Sequence, residues 1–204
     1  MSMVVAWMVS PLLPALLAIY FVSSVSYSLL FKKRLLADAF LLSVLYLMRI
    51  IAGHIATGVA FSIWLLSFAF FMFLSLAFSK RWTELTNAPK VEGNLPGRGY
   101  QVRDADQVNL FGVCSSFLAA VVFILYLQSD RVMQLYRTPD LLWFLAPVFL
   151  YWETRLWLLS ARGDVTEDPV LFVLKDRITY LVAAVAGLIM IAASRDWTGF
   201  QSLR

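Results

Sequence analysis

One cysteine and one histidine occur among the 204 residues. Cys114 therefore has no partner for an intrachain disulfide, and His54 alone cannot build a Cys/His zinc cluster with it. Cys114 lies inside an apolar run and is expected to be a buried structural thiol. No Asp or Glu precedes Asp38. No basic stretch stands ahead of the first apolar run, so a cleavable signal peptide is not expected and the start reads as membrane helix. There is no internal repeat, low-complexity tract, Walker loop or dinucleotide-binding fingerprint. The basic residues are dispersed and flank apolar runs, which argues against a nucleic-acid surface.

Apolar residues are abundant instead. They make up 61% of the chain, with mean hydropathy +0.76. Soluble domains run at about 45–50% apolar, and a domain of this size cannot hide the excess. The surplus must face lipid, so residues 1–204 read as a single all-α integral membrane domain, a polytopic transmembrane helix bundle.

A bilayer core of about 30 Å takes about 20 helical residues, and the apolar runs divide into about six full spans plus an N-terminal partial helix. Ser10, Pro11 and Pro14 interrupt the first run, giving a short tail to about Val9 and a span from about Leu12 to Phe31. The next spans are about Leu35 to Thr57, closed by Gly58, and about Phe61 to Ser79. A polar loop is expected over 80–107. Beyond it come spans of about Val108 to Gln128, Asp140 to Ser160 with Pro147 as a kink, and Leu171 to Ser194. Lys175-Asp176-Arg177 should open the last of these at headgroup level.

Alternating the spans places Lys32, Lys33, Arg34, Lys80, Arg81, Lys90, Arg98, Arg103, Arg162, Lys175 and Arg177 on one side. Only Arg131, Arg137, Arg195 and Arg204 fall on the other. The positive-inside rule puts the richer side in the cytoplasm of a plasma or inner membrane. The 80–107 loop and any site it helps to build then face cytoplasmic solutes.

Ionisable groups within spans are functional candidates by default. Asp38 and Arg49 share one span, separated by about three helical turns, or about 16 Å along the axis. They cannot pair, but both can point into one polar cavity. The structural readings are an interfacial helix start for Asp38, and for Arg49 a pair with a backbone carbonyl or Glu153. His54 reads as a packing residue. Arg155 reads as snorkelling among an interfacial belt of Tyr151, Trp152 and Trp157.

Lys80 and Glu84 stand i, i+4 on one helical face with Arg81 beside them. A carboxylate there can help hold Mg²⁺, and Lys and Arg can neutralise phosphate oxygens. Alone, the cluster would read as a charged helix end in the headgroups, and Lys32 as a basic anchor. Gly97-Arg98-Gly99-Tyr100 offers a flexible loop with an arginine. Asp164, Glu167, Asp168 and Asp176 form an acidic group, in which helix capping at Asp168-Pro169 competes with metal binding.

Several segments, taken in order, resemble the UbiA superfamily of intramembrane prenyltransferases. They are Tyr27-Ser28-Leu29-Leu30-Phe31-Lys32, Asp38, Leu47-Met48-Arg49-Ile50-Ile51-Ala52-Gly53 and Ser79-Lys80-Arg81-x-x-Glu84-Leu85. Gly97-Arg98-Gly99-Tyr100 and Asp168-Pro169-Val170-x-Phe172-x-x-x-Asp176-Arg177 are similar to the decaprenyl-phosphate phosphoribosyltransferase-like branch. The resemblance covers nearly the whole chain.

It implies a helical bundle with a cavity open to the cytoplasm and to lipid, Mg²⁺ as cofactor, phosphoribosyl diphosphate as donor and a polyprenyl phosphate as acceptor. Asp38 and Arg49 would be the catalytic, cavity-lining residues. Lys32, Lys80, Arg81 and Arg98 would grip phosphate, and Glu84 would stand at the second acidic, metal-binding motif. The family's first Asp-rich motif has no counterpart here. The chain is therefore expected to correspond to roughly the C-terminal two-thirds of a family member and to be impaired alone. A truncated or wrongly started product, a separate N-terminal half, or a diverged relative would each account for this. The alternative is a non-catalytic scaffold or a transporter-like subunit. Neither an inverted repeat nor paired half-helices support transport.

Overall fold

The computed structural model describes residues 2–88, 97–165 and 169–195. Among these residues the regular structure is helical throughout, with no strand. Helices α1 (Ser2–Val9), α2 (Leu13–Leu29), α3 (Ala37–Thr57), α4 (Ile63–Thr86) and α5 (Ala105–Leu127) are followed by α6 (Asp130–Leu135), α7 (Leu145–Ala161), α8 (Pro169–Lys175) and α9 (Arg177–Ser194). Tighter 3₁₀ turns cover Phe31–Lys33, Val102–Asp104 and Pro139–Phe144. The chain divides into two compact units, Met1–Ser115 and Ser116–Arg204.

In the first unit the expected break falls at Ser10–Leu12, and Pro14 lies in the first turn of α2, where its missing N–H is not needed. α3 ends at Gly58, whose φ of 68° is the left-handed stop that its sequence position suggests. Ser62 caps α4 by accepting from the Leu65 N–H.

α4 does not end near Ser79. It continues about two turns further, to Thr86, so the polar connection starts later than expected. Its packed stripe is the reason: Leu74, Ala77, Phe78 and Leu85 repeat at helical spacing and join Ala39, Tyr100 and Val108 in one buried cluster. Arg81 falls on that same stripe. Lipid removes most of the hydrophobic drive for helices to associate, so close packing matters more. The small buried residues Ala39 and Ser43 on α3, with Ser75, Ala77 and Ser79 on α4, let these two packed helices approach.

In the second unit Leu127, Val132, Leu142, Leu145 and Ala193 form the core. Two expected spans are rearranged here. The segment Asp140–Ser160 is a 3₁₀ turn followed by the 17-residue α7, at the lower limit of a bilayer crossing. Pro147 sits in its first turn and does not kink it. The run from Leu171 to Ser194 is split at Asp176 into α8 and α9. By length and composition, five helical segments of the described chain can cross a membrane: Leu13–Lys33, Ala37–Thr57, Ile63–Thr86, Val102–Leu127 and Arg177–Ser194. This is a polytopic helical membrane protein.

The split has a local cause. The Asp176 carboxylate accepts from the Thr179 N–H and hydroxyl, both at 2.9 Å, and so starts a new helix. Arg155 grips the same carboxylate with two bonds, at 2.6 and 3.1 Å, so it is paired and does not simply snorkel. Trp152 and Trp157 are buried, whereas Tyr151 is exposed, so the expected aromatic belt reduces to Tyr151. The Trp152 indole N–H donates to the Thr179 hydroxyl at 3.0 Å. Cys114 is exposed, contrary to expectation, because α5 buries Ser115 and Ser116 and turns the adjacent thiol outward.

Burial opposes the Asp176 charge, but the bonds from Arg155 and Thr179 outweigh it and hold the pKa below the ordinary carboxylate value. A carboxylate with a depressed folded-state pKa stabilises the fold above its unfolded pKa, and that stability is lost as pH falls through the folded pKa. Asp176→Asn should therefore lower the unfolding temperature at pH 7, and the deficit should shrink as the pH falls below the ordinary aspartate range. Thermal unfolding of both proteins across pH checks this; a deficit independent of pH would refute it.

Candidate functional site

The first unit brings three segments together: the basic turn before α3, the end of α4, and the loop Gly97–Tyr100. The loop fits only because Gly99 has no side chain. A Cβ there would lie 2.7 Å from both the Lys33 carbonyl oxygen and the Leu35 nitrogen. Gly97 takes a φ of 74°, which favours glycine.

This close approach delivers Tyr100 into the core. Its hydroxyl accepts from the Leu36 N–H at 3.2 Å and donates to Asp38 Oδ1 at 2.6 Å. Leu36 itself has a φ of 62°, a conformation that strains a branched side chain by about 1–3 kcal/mol. Burial, and then the Asp38 carboxylate, push the Tyr100 hydroxyl pKa up, which keeps it a protonated donor.

Asp38 is fully buried at the start of α3. Its Oδ1 also accepts from the Ala39 N–H at 2.7 Å. Its Oδ2 lies 3.0 Å from Arg81 Nε, in a charge contact that is not aligned as a hydrogen bond. Arg81 is 2% exposed. Its other edge donates from Nη1 to Glu84 Oε2, one turn along α4. Arg98 then closes on Glu84 from the loop, with Nε and Nη2 each 3.1 Å from a carboxylate oxygen.

Burial works against the Arg98 charge, but Glu84 and the hydroxyl of Tyr27 on α2 outweigh it, so its pKa is raised. The result is a continuous chain, Tyr100–Asp38–Arg81–Glu84–Arg98, at the end of α4. Planar guanidiniums of this kind match the oxygen geometry of carboxylates and phosphates.

Asp38, Arg81, Glu84 and Arg98 are thus brought together. Lys80 is half-buried one turn ahead of Glu84, and Lys32 is half-buried on the basic turn. Arg49 goes elsewhere. It is exposed, donates from Nε and Nη2 to the Tyr20 hydroxyl at 3.2 and 2.7 Å, and lies over the Tyr20 and Tyr46 rings. Its partner is a tyrosine hydroxyl and not a backbone carbonyl, and its charge does not meet that of Asp38. His54 packs against Phe61, with ring centroids 5.1 Å apart.

Sequence reasoning missed Tyr20, Tyr27 and Tyr100 as partners of these charges. For Tyr100 the neighbouring Gly99 was the available signal, since a glycine flanked by Arg and Tyr allows close backbone approach. Glu153 is fully buried; Ser116 donates to its Oε2 at 2.6 Å, and its Oε1 has no hydrogen-bond partner among the described residues. Glu167 and Asp168 of the expected acidic group, and Lys90, lie outside the described residues. Among the described residues there is no group of three His, Cys, Asp or Glu side chains able to hold a metal.

Mg²⁺ prefers carboxylate oxygens together with phosphates and water. Both Glu84 oxygens are bonded to guanidiniums, and both Asp38 oxygens face Tyr100, Ala39 or Arg81. This arrangement does not fit a resident Mg²⁺.

No protein-family model matches the chain. It is 33% identical over 171 residues to an uncharacterized protein, y4nM, of Sinorhizobium fredii, a match covering 82% of this chain and 33% of that protein. Nodulation protein NoeC of Azorhizobium caulinodans is 30% identical over 185 residues, covering 89% of this chain and 60% of NoeC. Decaprenyl-phosphate phosphoribosyltransferase of Mycolicibacterium smegmatis is 23% identical over 185 residues, covering 89% of this chain and 58% of that enzyme. The chain spans from about a third to about three-fifths of the length of these relatives. The likeness to a named phosphoribosyltransferase is distant, and it accompanies a chain with several helices apolar enough to cross a membrane.

Proposed function

We propose that this chain carries part of a UbiA-type membrane transferase acting on a polyprenyl phosphate or diphosphate. The reaction it suits best is phosphoribosyl transfer from phosphoribosyl diphosphate to a polyprenyl phosphate. An acceptor phosphate oxygen would form a bond to the ribose anomeric carbon as the bond to the departing diphosphate breaks. The observation that carries this reading is the convergence of Arg81 and Arg98 on one anion seat beside a basic turn.

In this proposal Arg81, Arg98, Lys80 and Lys32 neutralise the diphosphate as charge develops on it. Asp38 and Tyr100 hold Arg81 in place and do not touch substrate. Arg49, held by Tyr20, takes no part in this seat. Mg²⁺ would arrive with the diphosphate as part of the donor. The site would face the cytoplasm, as the distribution of Lys and Arg suggests. Turnover by this chain alone would be poor, since the family's first Asp-rich motif has no counterpart in it.

Binding is therefore the sharper test. The full chain, reconstituted in lipid nanodiscs, should bind labelled phosphoribosyl diphosphate. A charge-assisted hydrogen bond contributes about 1.5–3 kcal/mol, so Arg98→Ala should weaken binding by about ten-fold or more. The second reading, a non-catalytic scaffold, draws on the same network, because charges that saturate one another also make a structural tie. That reading predicts no donor binding by the wild type, and such a result would remove the transferase proposal.

A further inference from the structure

Glu84 occupies the guanidinium pair as a ligand would. Arg98 meets both of its oxygens at 3.1 Å, and Arg81 adds a further donor. The side chains of Glu84 and Arg98 are 32% and 21% exposed, so water reaches this end, while Arg81 is buried behind it. Arg81 is also tied to Asp38 through its other edge. With Glu84 in place the two guanidiniums and two carboxylates balance; with Glu84 moved aside, the seat carries a net positive charge.

We infer that Glu84 is an internal counter-anion that holds the phosphate seat, so that an entering anion must displace it and only one offering more charge than the carboxylate, a diphosphate before a single phosphate, fills the seat. The inference rests on the phosphate-binding reading above. Any entering anion must replace charge-assisted bonds that the carboxylate already makes. A single phosphate offers the two guanidiniums roughly what Glu84 offers, so it gains little. A diphosphate places its second phosphoryl group beyond the fork, toward the Lys32–Arg34 turn, whose backbone touches the loop at Gly99. That additional charge tips the exchange. Glu84 thus acts as a competitor for the seat and not as a resident metal ligand.

The two roles predict different results for Glu84→Gln when divalent ions are removed. A residue that acted only through a metal would leave metal-free anion binding unchanged. A counter-anion makes binding tighter when its charge is removed. The experiment is calorimetry on the full chain in lipid nanodiscs with EDTA present. Inorganic diphosphate and inorganic phosphate are titrated separately into the wild type and Glu84→Gln.

The wild type should bind diphosphate at least about ten-fold more tightly than phosphate. In Glu84→Gln both anions should tighten, each by about ten-fold, because both are spared the same displacement of the carboxylate. If the amide variant fails to fold, Glu84→Asp carries the test: its shorter reach loosens the fork and should shift both affinities in the same direction by a smaller factor. Diphosphate binding by the wild type with unchanged or weaker phosphate binding in the variant overturns the counter-anion role alone. Absence of diphosphate binding in every protein overturns the phosphate-binding reading as well.

Discussion

Asp38→Ala is expected to destabilise the protein by about 3–5 kcal/mol. Asp38 is fully buried and Arg81 is 2% exposed. Removing the carboxylate leaves a guanidinium in the packed stripe of α4 without its facing charge. The Ala39 N–H loses its acceptor and the Tyr100 hydroxyl loses the group it donates to. Glu84 still faces the outer edge of Arg81, but the inner, Nε edge loses its counter-charge where no water reaches it. The double variant Asp38→Ala/Arg81→Met should therefore recover part of the loss, because an apolar side chain of similar volume suits that stripe. Chemical unfolding in detergent micelles measures both. A double variant as unstable as the sum of the two single changes would show that Asp38 and Arg81 are not coupled in the way their 3.0 Å contact implies.

Gly99→Val carries the second large effect. Even one added carbon would lie 2.7 Å from two backbone atoms of the basic turn, and backbone cannot swing aside as a flexible side chain can. Overpacking of this kind typically destabilises by about 1–3 kcal/mol. The loop must lift, and lifting it withdraws both Tyr100 from Asp38 and Arg98 from Glu84. Stability and donor binding should then fall together. Gly53→Ala is the control. Nothing lies within 4 Å of a Cβ at Gly53, in the interior of α3, and alanine is the better helix former by about 0.5–1 kcal/mol. It should be neutral or stabilising. Equal loss from the two substitutions would remove the close approach at Gly99 as the cause.

Much of the fold was legible because the bilayer sets a length and the backbone obeys strict local rules. The Ser10–Pro11–Pro14 break and the Gly58 stop follow from proline's missing N–H and glycine's access to positive φ. The readings that missed were those in which side chains overrode local pattern. α4 continues past its apolar run because Leu85 packs with Tyr100 and Ala39. α9 starts afresh because Asp176 caps it and Arg155 fixes the cap. Cys114 and Trp152 swapped their expected environments because hydropathy gives a residue's preference and not which face of a helix is packed.

The candidate site divides in the same way. Composition alone determined that the chain is a membrane protein, since 61% apolar residues cannot be buried inside a domain of this size. Spacing along α4 put Arg81 and Glu84 within one turn of each other, because an α-helix is regular. No local rule could bring Arg98 to Glu84 or Tyr100 to Asp38, pairs that are far apart in the chain. Nor could helical spacing reveal that Arg49, nearly in line with Asp38, would be taken by Tyr20 on a neighbouring helix. Those contacts depend on the close approach at Gly99 and on how α2, α3 and α4 pack. A charge finds its partner through the whole tertiary arrangement, because burying it unpaired costs more than any local preference can offset.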